Sequence, residues 1–121
     1  PLGAALAYEL GCGFISLRKE GKLPRSVHRR EYQLEYGSAA LELHRDSLTP
    51  ADRVVIVDDV LATGGTAAAA IELVQSTGAH VISFAVIMDL PFLHGTAPII
   101  ALGVTPHILI NDHGSAYQRD Q

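Results

Sequence analysis

Cysteine is nearly absent from this 121-residue chain: Cys12 stands alone, so no internal disulfide can form and a reducing compartment is the expected setting. Positive charge is also short. Nine Lys and Arg against thirteen Asp and Glu leave a net charge of −4, which implies no general polyanion-binding surface and no nucleic-acid partner. Apolar runs are brief and interrupted by charge or Gly, so no membrane segment is expected. No signal-peptide pattern opens the sequence, and the cytoplasm is the expected location. The six histidines, at 28, 44, 80, 94, 107 and 113, lack metal-site spacing and receive no role. Cys12, between Gly11 and Gly13, reads as a small buried residue rather than a nucleophile.

What is present is ordinary globular composition, 48% hydrophobic and 18% charged, in a length that suits one domain. The domain is expected over residues 1–110, followed by a polar tail over 111–121. Leu2 to Leu10 places Leu2, Ala5, Leu6 and Leu10 on one helical face and stops at Gly11. This helix begins without a polar cap, directly after Pro1, and the chain is expected to be incomplete at its start. Phe14, Ile15 and Leu17 suggest a short buried strand before the basic stretch Arg18 to Lys22. Alternation from Tyr32 to His44 predicts a projecting two-stranded ribbon that turns near Gly37, and 46–52 reads as a loop. Arg53 to Val57 predicts a central strand buried on both faces, and Thr66 to Thr77 a helix ending at Gly78. Val81 to Met88 and Pro106 to Ile110 complete the strands. The expected class is α/β, a mostly parallel sheet flanked by helices.

Chemistry concentrates in V-V-I-V-D-D-V-L-A-T-G-G-T, residues 54–66. A buried strand delivers Asp58 and Asp59 to the carboxyl end of the sheet, where ligands of open α/β sheets bind. Ala62, Thr63, Gly64, Gly65 and Thr66 then open a helix, with backbone N–H groups and threonine hydroxyls suited to a monophosphate. The loop matches neither G-x-x-x-x-G-K-S/T nor G-x-G-x-x-G. Carboxylates beside an anion cradle would repel a phosphate set against them. The conflict disappears for a ligand that offers hydroxyls to the acids and its phosphate to the loop, as a ribose 5-phosphate does. Taken singly, the aspartates could be cap or turn residues, the Arg18–Lys22 run a solvated turn, and Glu35 a solvent-facing strand residue.

Strand, two acids and A-T-G-G-T together resemble the signature of the type I phosphoribosyltransferases, which bind phosphoribosyl pyrophosphate (PRPP). Arg18-Lys19-x-Gly21-Lys22-Leu23-Pro24 and Tyr32-x-Leu34-Glu35-Tyr36-Gly37 resemble the adenine-specific branch. The resemblance implies a Rossmann-like fold whose ribbon serves as a lid, and conversion of adenine and PRPP to AMP and pyrophosphate in purine salvage. It implies that Asp58 and Asp59 hold the ribose hydroxyls, that 62–66 binds the 5-phosphate, and that Val60 packs on the base. Lys22, with Arg18 and Lys19, would face pyrophosphate. Tyr36 would touch it from the lid, and Glu35 would manage the proton of adenine. Mg2+ would be held mainly by PRPP oxygens, and the protein would be a homodimer. The family pattern places a further strand and an Arg-Gly-Phe-type loop ahead of the segment that begins here at Pro1. His28-Arg29-Arg30-Glu31 stands where the family tends to have small and hydroxyl residues. A phosphoribosyltransferase for another base and a non-catalytic PRPP-binding regulatory module are the alternatives.

Overall fold

A computed structural model describes residues 2–19, 27–34, 37–44 and 47–111. The chain opens with α1 (Leu2–Leu10), closed by Gly11 N–H to the Tyr8 carbonyl and Cys12 N–H to the Ala7 carbonyl. Its bounds agree with the periodicity, but its buried face does not. Ala7 is buried, whereas Leu6 and Leu10 are exposed. Cys12 is exposed, not buried, because the turn that ends α1 carries it outward. Phe14 and Ile15 belong to no strand and are about half exposed; among the described residues no strand pairs with them.

A first, antiparallel sheet has the order β1-β3-β2, formed by β1 (Arg18–Lys19), β2 (Val27–Leu34) and β3 (Gly37–His44). β2 and β3 pair in unbroken register from Val27 opposite His44 to Leu34 opposite Gly37. The hairpin therefore starts five residues earlier than Tyr32; residues 35–36, beside the turn expected near Gly37, lie outside the described residues. No projecting lid is seen among the described residues. Leu41 and Leu43 of β3 belong to the hydrophobic core, which anchors the strand to the body of the domain.

The second sheet is parallel, in the order β4-β5-β6: β4 (Arg53–Leu61), β5 (His80–Asp89) and β6 (Thr105–Asn111). Among the described residues β4 has a hydrogen-bonded neighbour on one side only, whereas β5 is flanked on both. β6 takes in Asn111, the first residue of the expected tail; 112–121 lie outside the described residues. Two helices follow strands: α2 (Gly65–Gln75) after β4, and α3 (Thr96–Ala101) after β5 and a 3-10 turn over Pro91–Leu93. Together these features make an α/β domain, a three-stranded parallel sheet flanked by helices.

The core lies on the α2 side of that sheet. Ile71, Leu73 and Val74 of α2 pack with Ile56, Phe84 and Val86 of the strands and with Ile99 of α3. Small residues at 67, 69 and 70 let α2 lie close to its neighbours, which include β2 and β3. The opposite face is more open, covered in part by α1. There Leu6, Val57, Ala85, Ile87, His107 and Leu109 line a cavity of about 320 Å3. β4 is thus buried on one face rather than two, and Val55 is 47% exposed. The continuous β-branched run does not discriminate between these cases, because it is equally apolar on both faces.

Candidate functional site

β4 continues four residues past the apolar run, so both aspartates are strand residues at its carboxyl end. Asp58 is half-buried and Asp59 exposed. The Asp58 carboxylate accepts the backbone N–H of Asp59 at 2.8 Å. Burial raises the pKa of Asp58 above the ordinary carboxylate value. The Asp59 N–H opposes that shift, and the side chain and charge of Asp59 add to it. Val60 follows, 45% exposed, and Leu61 closes the strand at 2% exposure.

The loop after Leu61 is bare on its outer side: Ala62, Thr63 and Thr66 are exposed, and Gly64 is buried. Gly64 is the residue before α2 and holds φ +90°, a left-handed conformation that side chains strongly disfavour. Its carbonyl accepts the Ala68 N–H at 2.8 Å, the first bond of the helix. The N–H groups ahead of Ala68 have no acceptor within the helix. Among the described residues only a long contact, 3.5 Å from the Gly65 N–H to Thr63 Oγ1, engages one of them. No side chain caps α2, and no acid occupies its first turn. The positive end of the helix dipole and its free donors are therefore open to an anion. Beside them, Asp58 and Asp59 offer acceptors for hydroxyl groups. One continuous stretch of chain thus carries both the carboxylates and the anion donors.

Of the remaining expected residues, only Arg18 and Lys19 are described. Arg18 and Lys19 lie in β1, paired with Glu42 and Leu41 of β3, in a separate sheet from the aspartates. Lys22, Glu35 and Tyr36 lie outside the described residues.

Sequence reasoning overlooked the support under the loop. Leu90 N–H bonds to the Leu61 carbonyl at 3.0 Å, and the chain from Leu90 to Pro98 runs beneath Ala62 to Gly64. Asp89, which opens this segment, is 5% exposed, and its Oδ1 has no hydrogen-bond partner among the described residues. His94 adopts φ 56°, the one non-glycine residue of the described chain in the left-handed region. Replacing His94 with Gly should relieve that strain and stabilise the domain by about 1 kcal/mol, read from chemical denaturation. Lower stability would show that the imidazole makes a compensating contact. The signal for this support was the Pro- and Gly-punctuated run from 91 to 98, which reads as plain loop until its packing is known.

A phosphoribosyl transferase domain model matches residues 1–97. The chain is 62% identical to an adenine phosphoribosyltransferase of Nitrosococcus oceani over 93 residues, which are 77% of this chain and 54% of that one. Its fold is similar to the crystal structure of adenine phosphoribosyltransferase from Thermoanaerobacter pseudethanolicus, with a TM-score of 0.86 and 47% identity, covering 91% of this chain and 63% of that one. It is also similar to the Saccharomyces cerevisiae adenine phosphoribosyltransferase complexed with an imino-altritol bisphosphate and adenine, with a TM-score of 0.84 and 40% identity, covering 89% and 60%. The chain thus spans between half and two thirds of the length of these proteins. With a family match across most of its length, and with two acids and a glycine loop at the end of a parallel strand, the chain belongs to the phosphoribosyltransferase family.

Proposed function

We propose that this chain carries the transfer site of an adenine phosphoribosyltransferase, which forms AMP and pyrophosphate from adenine and PRPP in purine salvage. The observation that carries the reading is the end of β4, where a carboxylate pair adjoins an uncapped helix start. The adenine activity named for the similar proteins supports the choice of base.

In this reading Asp58 and Asp59 accept the ribose 2- and 3-hydroxyls. The backbone N–H groups of 62–66, with the hydroxyls of Thr63 and Thr66, take the 5-phosphate. During transfer the bond from C1 of the ribose to pyrophosphate breaks and a bond from C1 to N9 of adenine forms. Positive charge builds on the sugar, and the two carboxylates beneath it stabilise that charge. Negative charge builds on pyrophosphate, which Lys22, Arg18, Lys19 and Tyr36 face. Glu35 takes the proton that leaves N9, and Val60, already half exposed, packs against the base. The ribbon of β2 and β3 acts as a lid that excludes water, which would otherwise hydrolyse PRPP.

Among the described residues no group of three or more His, Cys, Asp or Glu side chains could hold a metal ion. In this reading a Mg2+ ion would be carried mainly on PRPP oxygens rather than caged by protein. Such an ion neutralises charge on the leaving pyrophosphate. A homodimer in the cytoplasm accompanies this reading; no helix among the described residues is long and apolar enough to cross a membrane.

The test is product formation from PRPP and Mg2+ with adenine, hypoxanthine, guanine and orotate offered in turn. AMP from adenine alone is expected. Product from a different base would reassign the base, and PRPP binding with no product from any base would leave a regulatory PRPP-binding module.

A further inference from the structure

Gly95 has no conformational need to be glycine. Its φ of −65° and ψ of −21° are ordinary right-handed values that any L-residue adopts. Space explains it instead. A Cβ at Gly95 would overlap the carbonyl oxygen of Ala62 and come within 2.9 Å of Leu61 Cγ. The approach is mutual, since a Cβ at Gly64 would overlap the Gly95 carbonyl oxygen and lie 2.8 Å from Pro98 Cγ. Two glycines from distant parts of the chain thus let two backbones touch directly.

The two sides of this contact differ in freedom. On the Gly95 side, α3 is seated by Ile99, which is fully buried, and the α3 end is tied to α2 by Gln75 Nε2 donating to the Leu102 carbonyl at 3.3 Å. On the other side, Ala62 and Thr63 are exposed on the outer face of the loop. A displacement at the contact therefore moves the loop rather than the platform.

We propose that Gly95 is a positioning residue for ligand binding. By admitting the Ala62 carbonyl into contact with its own backbone, it sets the height and tilt of the 62–65 peptides and hence the aim of their N–H groups. This rests on the reading that the loop takes the 5-phosphate. An added methyl pushes the Ala62 peptide outward and rotates the donors away from the anion.

The experiment measures binding of ribose 5-phosphate and of ribose to the 121-residue chain by calorimetry, at a temperature where every variant is folded. Gly95→Ala is expected to weaken ribose 5-phosphate binding by about tenfold or more, the scale of one lost hydrogen bond to a charged group. Ribose binding should change far less, a selectivity that general loss of structure would not produce. Pro98→Ala removes the Cγ beneath Gly64, at the cost of one new backbone N–H, and should weaken ribose 5-phosphate by about threefold. If Gly95→Ala does not fold, Pro98→Ala decides alone. An unmodified chain that binds ribose 5-phosphate, with variants that bind it equally well, overturns this inference and leaves the functional reading standing. An unmodified chain that does not bind ribose 5-phosphate overturns both.

Discussion

Asp58→Asn should lower AMP formation by about 10²–10³-fold, the usual scale for removing one preorganised charge-stabilising group from a transition state. The same change should make the protein more stable at neutral pH. Burial raises the pKa of Asp58 in the folded chain above its unfolded value of 3.8, with the Asp59 charge adding to the shift. Between the two values the folded state holds more proton than the unfolded state, so stability falls as pH rises through that window. Above it the deficit is present in full; below the unfolded value it vanishes. The Asn variant lacks the deficit, so it should melt higher than the parent near pH 7, with the gap closing towards about pH 4. Turnover and thermal melts at both pH values check the two halves separately. Parental turnover in the variant would remove Asp58 from the chemistry. Equal melts at pH 7 would mean that burial of the ionised group costs the fold nothing.

Gly64→Ala should destabilise the domain by about 2–5 kcal/mol and abolish detectable ribose 5-phosphate binding. Two effects add. The left-handed φ of +90° disfavours any Cβ by about 1–2 kcal/mol, and overpacking against the Gly95 carbonyl and Pro98 Cγ contributes about 1–3 kcal/mol more. Gly103 supplies the internal control, because its φ is also positive, +80°, yet a Cβ there meets nothing within 4 Å. Gly103→Ala should therefore lose only the conformational part in urea denaturation, with ligand binding intact. Equal losses at 64 and 103 would show that the close contact carries no energy.

Much of this architecture was legible because its signals are local. The helix from Leu2 to Leu10 has apolar periodicity and a terminal Gly. The β-branched run from Val54 marks β4, and the Ala-rich stretch marks α2. The acid pair and the A-T-G-G-T loop are contiguous in sequence, so their meeting in space required no long-range inference. What was not legible depends on partners. Ala7 rather than Leu6 or Leu10 is buried because of where α1 meets the sheet, which its own period does not specify. Phe14 and Ile15 are apolar enough for a strand, but among the described residues no ladder takes them in. α3 is six residues long with Pro98 inside it, a composition that reads as punctuation; packing of Ile99 makes it a helix. Nothing local marks Gly95, because its requirement comes from Ala62, far away along the chain.

Among the described residues β4 lies at the edge of its sheet, which has a consequence in time rather than in geometry. Releasing β4 breaks one ladder, whereas releasing β5 breaks two, so the strand that carries both aspartates is the easier of the two to open by local fluctuation. Each such opening dismantles the acid pair and the start of α2 together. A ligand that requires both in place binds only the closed form, and at a hundred times its dissociation constant it shifts that equilibrium by about 2.7 kcal/mol. Under the proposed reading, PRPP is then a clamp as well as a substrate, and the lifetime of the folded site rises and falls with its supply.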